Sequence, residues 1–99
     1  MKITKENRER VKALCKTYNV ETLYLFGSVT NDNFSEKSDI DLLVQFKKID
    51  LARYFMNYIT LKEKLKSILK REIDLIEEQT LKNPILIKSI NKNKELIYG

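Results

Sequence analysis

Apolar residues recur every three or four positions in three stretches of the chain, a spacing that places them on one side of an α-helix. The first stretch covers residues 4–18, and Thr4 can cap its start. The second follows Asp50, also a capping residue, and the third opens at Asn83-Pro84, a common helix-start signature. The predicted core-facing stripe of the second helix comprises Leu51, Phe55, Tyr58, Ile59, Leu65, Ile68 and Leu69. The pattern therefore predicts three helices.

Three shorter apolar runs lie between the predicted helices and indicate β-strands. They cover residues 22–26, about 39–46 and 73–76. In the second run the apolar side comprises Ile40, Leu42, Val44 and Phe46. Because side chains alternate along a strand, Asp39 and Asp41 share its other side. The last residues, 95–98, either form a short edge strand or continue the third helix.

The order of these elements predicts an α+β, two-layer architecture. We expect a small mixed β-sheet of three to four strands with helices packed on it. A short helical turn can begin at Ser28, but most of the segment between Ser28 and Ser38 is polar and predicts an exposed loop. With 99 residues, the chain is expected to form one domain, residues 1–99.

Charge and composition narrow the classes of function. The formal net charge is +5, but the lysines are scattered along the predicted helices, so we expect solvated faces rather than a nucleic-acid patch. Mild basicity still favours an anionic ligand or an acidic partner protein. The chain has no His and a single Cys, which excludes zinc centres and His-based triads.

The single cysteine and the absence of targeting signals predict where the protein works. Cys15 lies in a helical pattern and is expected to be a buried apolar residue in a reducing compartment. No signal peptide, lipidation motif or apolar run near 18 residues is present. We therefore expect a soluble cytoplasmic protein.

The paired carboxylates are the chain's strongest chemical signal. Asp39 and Asp41 lie one residue apart on one side of a strand, where they repel each other unless a cation sits between them or one is protonated. Asp74 lies in the third run and can join them if the two strands are neighbours. Carboxylates without His or Cys suit Mg²⁺ or Mn²⁺. Three of them could hold two ions for phosphoryl transfer.

Gly27-Ser28, at the end of the first strand, supplies a matching phosphate site. Gly27 has no side chain, so a phosphate can approach its backbone closely. A helical turn starting at Ser28 would add free N–H groups and a hydroxyl. Taken singly, these features have ordinary explanations: Gly-Ser as a turn, Asp39 as a cap, and the other two aspartates as exposed strand residues. Their combination points to a metal–phosphate site.

The combination also resembles a known family. The chain is similar to the nucleotidyltransferase superfamily typified by DNA polymerase β. The residues that carry this resemblance are Gly27-Ser28, followed after ten residues by Asp39-Ile40-Asp41, with Asp74 downstream. The resemblance is closest to the minimal nucleotidyltransferases (MNT) and covers nearly the whole chain. It implies the nucleotidyltransferase fold, with Gly27 and Ser28 binding nucleotide phosphate. It also implies that Asp39, Asp41 and Asp74 are catalytic and hold two Mg²⁺ ions, with Mn²⁺ as an alternative.

The resemblance further implies an activity and a partner. Many MNT proteins are antitoxins encoded beside a HEPN-domain toxin, which they inactivate by transferring AMP from ATP to a toxin tyrosine. We therefore expect an Mg²⁺-dependent nucleotidyltransferase that modifies a hydroxyl of a HEPN-type partner. The alternative is a non-catalytic antitoxin that neutralises its partner by occlusion. Nucleic-acid binding is a third, less favoured hypothesis.

One stretch departs from the family pattern. Many members carry an Arg shortly after the Gly-Ser pair, whereas this chain has Val29-Thr30-Asn31-Asp32. A cation that usually contacts phosphate is therefore missing from its place. Lys37 and Arg53 are the candidates to replace it.

Overall fold

The computed structural model describes residues 3–26 and 40–99. The predicted site residues Gly27, Ser28 and Asp39 lie outside the described residues, as do Lys37 and the helical turn expected at Ser28. The described helices are α1 (Lys5–Thr17), α2 (Leu51–Leu69) and α3 (Pro84–Asn93), with a 3₁₀ turn at Glu78–Thr80. The strands are β1 (Val20–Phe26), β2 (Ile40–Phe46), β3 (Ile73–Glu77) and β4 (Glu95–Tyr98).

The predicted helix caps are confirmed. The Thr4 hydroxyl accepts a hydrogen bond from the Asn7 N–H at 3.1 Å, and the Asp50 carboxylate accepts one from the Arg53 N–H at 2.9 Å. The Asn83 side chain likewise accepts from the Ile85 N–H at 3.0 Å. Each cap satisfies one N–H that the first helical turn leaves without a backbone partner.

The four strands form one mixed sheet in the order β3-β2-β1-β4. Strands β2 and β3 run parallel, joined by α2, whereas β1 is antiparallel to both β2 and β4. The segment Glu95–Tyr98 is therefore an edge strand and does not continue α3. The expected α+β fold, a small mixed sheet of up to four strands flanked by helices, is confirmed.

Helices cover both faces of this sheet. The main core lies on the face that carries α1 and α2, with Cys15 and Leu65 fully buried against Leu23 and Leu42. A smaller cluster on the opposite face joins Ile90 of α3 to Phe26 and Leu43. Because alternate residues of a strand face opposite sides, the sheet supplies side chains to both clusters.

The predicted stripe of α2 is wrong in its N-terminal half. The helix is buried along Leu61, Leu65 and Leu69, with Tyr58 and Ile68 partly buried beside them. Leu51, Phe55 and Ile59 are instead exposed. Both sets repeat every four residues, and the exposed set begins ten residues before the buried set. At 3.6 residues per turn, this offset places the two stripes roughly 80° apart around the helix. The sheet covers only one of the two stripes.

Cys15 is fully buried in the main core, as predicted. Burial disfavours the thiolate and raises the pKa of the Cys15 thiol to about 12. Among residues 3–26 and 40–99, no helix has the length and apolar character needed to span a membrane.

Candidate active site

Asp41 and Asp74 lie opposite each other on neighbouring parallel strands. The register pairs Asp41 with Asp74, between the pairs Ile40–Ile73 and Leu42–Leu75. The Ile40 N–H donates to the Glu72 carbonyl at 2.9 Å, which fixes this register at the start of both strands. Neighbouring strands are about 4.8 Å apart, so the two aspartates stand side by side on one face.

The face in question is the one opposite to α1 and α2. Ile40 and Leu42, which flank Asp41, point into the main core, so Asp41 points the other way. The same alternation places Asp74 on that side, since Ile73 and Leu75 are core residues. Asp41 is half-buried and Asp74 is exposed. Two like charges thus share the open end of one sheet face.

Strand β1 brings the predicted phosphate site to the same end of the sheet. Phe26, the last residue of β1, is the register partner of Asp41. In the sequence Phe26 is followed by Gly27-Ser28, and Asp39 precedes Ile40. Two of the three predicted carboxylates, Asp41 and Asp74, are therefore brought together by the structure. Gly27, Ser28 and Asp39 lie outside the described residues.

The donor set of this pair suits a hard divalent cation. Both groups are carboxylates on rigid strands, and Mg²⁺ typically binds one or two protein carboxylates together with substrate phosphates. Within the described ranges, no group of three carboxylate or thiol side chains is positioned to hold a metal ion. The third predicted ligand, Asp39, belongs to the segment that is not described.

Tyr58 supports β3 beside the candidate site. Its position near the site was not predicted from the sequence. Its hydroxyl donates a short hydrogen bond to the carbonyl of Leu75, which is the residue after Asp74. Burial raises the pKa of Tyr58, and the nearby carboxylates of Asp74 and Glu77 raise it further. The available signal was a tyrosine within an apolar stripe, because a buried hydroxyl usually needs a partner.

A cation also lies on the face that carries the aspartates. The Lys94 ammonium sits 4.0 Å from the centroid of the Tyr24 ring, a cation–π contact. Tyr24 packs with Phe26 and Leu43 on that face. Arg53, one suggested substitute for the missing arginine, lies in the first turn of α2, beyond the far end of β2 from Asp41.

The geometry fits a nucleotidyltransferase, and comparison with known families agrees. The sequence profile described as polymerase beta nucleotidyltransferase matches residues 9–99. The chain therefore belongs to the polymerase β-type nucleotidyltransferase family.

Relatives narrow this class. One protein of Methanocaldococcus jannaschii, assigned as a protein adenylyltransferase, is 37% identical over 92% of this chain and 88% of its own length. The protein adenylyltransferase MntA of Thermococcus cleftensis is 32% identical over 75% of this chain and 72% of its own length. These matches confirm the resemblance to the minimal nucleotidyltransferases.

Solved structures share the fold. A structure assigned as a minimal nucleotidyltransferase has a TM-score of 0.74 and 30% identity, covering 91% of this chain and 88% of the other. A toxin–antitoxin structure with AMP-PNP has a TM-score of 0.70 and 23% identity, covering 94% and 73%. A structure of tri-AMPylated Shewanella oneidensis HEPN toxin in complex with MNT antitoxin has a TM-score of 0.63 and 22% identity, covering 95% of this chain and 71% of the other. The last two support the fold alone.

Proposed function

We propose that this chain is a metal-dependent protein adenylyltransferase that transfers AMP from ATP to a hydroxyl group of a HEPN-type toxin and so acts as its antitoxin. The observation that carries the proposal is the side-by-side register of Asp41 and Asp74 on one sheet face. Protein adenylyltransferases at 37% and 32% identity support the substrate class. The MNT antitoxin that shares this fold has a HEPN toxin as its partner, and we extend that partner to this chain.

The proposal assigns a role to each predicted site residue. Asp39, Asp41 and Asp74 hold the metal, and Gly27 and Ser28 bind the nucleotide phosphates. The family membership and the sequence order support these roles, because Phe26 pairs with Asp41 and is followed directly by Gly27. The chain would act as a single domain.

The metal that best suits these oxygen donors is Mg²⁺, with two ions proposed and Mn²⁺ as the alternative. A bound divalent cation supplies charge neutralisation between the carboxylates and the triphosphate. The carboxylates of Asp41 and Asp74, which otherwise repel each other, are the described residues that would hold it.

The chemical step is an in-line displacement at the α-phosphorus of ATP. A bond forms between the α-phosphorus and the acceptor oxygen. The bond between the α-phosphorus and the oxygen that bridges it to the β-phosphorus breaks. Pyrophosphate leaves with the electron pair, and the hydroxyl proton passes to the Asp74 carboxylate. Asp74 suits this role because it is exposed and can be reached by a hydroxyl of a second protein. Positioning of the two reactants supplies much of the rate.

Lys94 is our candidate for the phosphate-binding cation that this chain lacks after Gly27-Ser28. Its ammonium is held over Tyr24 on the face that carries Asp41. Tyr24 is the register partner of Leu43, which lies two residues along β2 from Asp41 and on the same sheet face. A lysine in this place would attract the triphosphate without contacting the metal.

The proposal is tested with a HEPN-type protein as acceptor, sought in the reading frame adjacent to this chain. We expect its intact mass to rise by one or more AMP groups when this protein, ATP and Mg²⁺ are present, and not when EDTA is added. An unchanged mass in a complex that nevertheless forms and protects cells would instead support neutralisation by occlusion. The proposal is then wrong about chemistry but not about the partner.

A further inference from the structure

The two aspartates of the candidate site are held by the sheet to different degrees. Asp41 lies on β2, between β1 and β3, and is the register partner of both Phe26 and Asp74. Asp74 lies on β3, an edge strand that has only β2 beside it among the described strands. An edge strand leaves one row of peptide groups without a strand partner. The placement of Asp74 therefore depends on what holds the outer edge of β3.

The carbonyl of Leu75 points to that outer edge. Along a strand, the peptide groups of successive residues point to opposite edges. The Glu72 carbonyl accepts a hydrogen bond from the Ile40 N–H and so points toward β2. The same alternation directs the Asp74 carbonyl toward β2 and the Leu75 carbonyl away from it. The residue after Asp74 thus presents its carbonyl oxygen where the described sheet ends.

Tyr58 of α2 occupies the place that a further strand would take. Its hydroxyl donates a hydrogen bond to the Leu75 carbonyl. Its ring is partly buried against the main core and stacks on Tyr54, with the centroids 6.4 Å apart. Tyr54 is in turn in edge-to-face contact with Phe46, with the centroids 5.3 Å apart. An ordered side chain of α2 therefore holds the peptide group that follows Asp74.

A second hydroxyl holds the same edge farther from the site. The Thr80 hydroxyl donates to the Glu77 carbonyl at 2.7 Å. Glu77 is the register partner of Val44, so it lies along the sheet from Asp74 and away from the open end of the candidate site. The two contacts are alike, but only that of Tyr58 is made to the residue adjacent to Asp74. They offer a matched comparison.

We propose that Tyr58 is a positioning residue of the AMP-transfer site, which keeps Asp74 beside Asp41 by holding the Leu75 carbonyl. This inference rests on the proposed function for the reaction. Tyr58 packs on the sheet face opposite to the aspartates, so it acts through the β3 backbone and not on the substrate. A displacement of about 1 Å at a reacting group can lower a rate by about 10²-fold. A hydrogen bond of modest value to the fold can thus be essential to the site.

The first test measures metal affinity and needs no acceptor. The melting temperature is followed through a titration with Mg²⁺. Tyr58→Phe should lower the metal-free melting temperature and move the midpoint of the titration to a roughly tenfold higher concentration, as loss of a group that orients a metal ligand does. Thr80→Val should also lower the metal-free melting temperature but keep the wild-type midpoint. In an Asp74→Asn background, Tyr58→Phe should cause no further shift.

The second test measures AMP transfer to the HEPN-type acceptor at saturating Mg²⁺. Tyr58→Phe should lower the single-turnover rate by roughly tenfold or more, because Asp74 is displaced from the reacting hydroxyl. The KM for ATP should not change, since the phosphates are assigned to Gly27 and Ser28. Tyr54→Phe removes the same atom from α2 one turn earlier, and both of its values should equal those of the wild type.

Two results would overturn the inference while leaving the proposed function intact. One is a Tyr58→Phe protein that melts at a lower temperature but has the wild-type Mg²⁺ midpoint and transfer rate, which would limit the hydrogen bond to stability. The other is an equal loss of Mg²⁺ affinity and rate in Tyr58→Phe, Tyr54→Phe and Thr80→Val, which would show a general loosening of β3.

The proposed function can fail separately. If the wild type transfers no AMP but the Mg²⁺ shift is confined to Tyr58→Phe, the proposed function is wrong and the placement of Asp74 by Tyr58 is upheld. A wild type that shows neither a Mg²⁺ effect nor transfer would overturn both.

Discussion

The carboxylates of Asp41 and Asp74 face the same side of two parallel strands at the same register position. Two residues that are 33 positions apart in the sequence thereby become nearest neighbours across the sheet. The α2 crossover allows this, because a parallel pair needs a long connection. Two like charges on neighbouring strands oppose folding and favour the binding of a cation between them.

The first prediction concerns metal binding and stability. Because a ligand of the native state alone stabilises it, millimolar Mg²⁺ should raise the melting temperature of the protein. Asp41→Asn and Asp74→Asn should each reduce this rise sharply, while their melting temperatures without metal should match or exceed that of the wild type. Differential scanning fluorimetry with and without EDTA measures both. An equal rise in all three proteins would show that the ion binds elsewhere.

A second prediction concerns Tyr58. Tyr58→Phe removes the hydrogen bond to the Leu75 carbonyl and should lower the free energy of unfolding by about 1 kcal/mol. The raised pKa of Tyr58 means that the folded state favours the protonated phenol. This contribution is complete below the ordinary value of about 10 and is lost as the pH rises through the raised folded-state pKa.

Urea titrations of wild type and Tyr58→Phe between pH 8 and strongly alkaline pH, roughly pH 11, check both statements. The wild type should lose stability over this window, and Tyr58→Phe should lose less. Burial and Glu77 also raise the pKa of Tyr54, so part of the alkaline loss should remain in the variant. Identical curves for the two proteins would contradict the role of Tyr58.

Cys15 provides a third prediction. It is fully buried among apolar side chains, so Cys15→Ser places a hydroxyl in that space and should cost about 1–3 kcal/mol of unfolding free energy. Cys15→Ala tests the cavity alone. Because burial raises the thiol pKa to about 12, a thiol reagent should label native protein at pH 8 far more slowly than unfolded protein. Fast labelling of the native state would contradict this placement.

Lys94 provides a fourth. Lys94→Met keeps the length and apolar stem of the side chain but removes the charge, so the KM for ATP should rise by roughly tenfold, as expected for a charged hydrogen-bonding partner of phosphate. Lys92→Met, an exposed neighbour on α3, is the control and should leave KM unchanged. A lower kcat at constant KM would contradict the proposed role in ATP binding.

Much of the fold follows from the sequence because its signals are local. Thr4, Asp50 and Asn83 mark the helix starts, and Asn19, a residue type that tolerates the left-handed region, has a φ of 63° at the turn after α1. The alternation around Asp41 likewise predicted which side chains enter the core. Caps and alternation depend only on a few neighbouring residues.

What the sequence alone does not determine is which surfaces meet. The choice of β3 as the neighbour of β2, on which the Asp41–Asp74 pair depends, is a property of the whole sheet. The wrong prediction of the buried stripe in the N-terminal half of α2 has the same origin, because Phe55 and Ile59 are as hydrophobic as the buried Leu65. They lie roughly 80° around α2 from the buried stripe and stay exposed, so periodicity overestimates the buried face.

The central claim is that Asp41 and Asp74 form the catalytic pair. Its most direct test is the single-turnover rate of AMP transfer from ATP to the acceptor for Asp41→Asn, Asp74→Asn and the control Glu72→Gln. The control neutralises an exposed carboxylate on the same edge of the sheet that pairs with Lys66. We predict a loss of at least about 10³-fold for both aspartate variants, as for loss of a group that stabilises charge in the transition state, and wild-type rates for Glu72→Gln. Near-normal transfer by Asp41→Asn or Asp74→Asn would contradict the account.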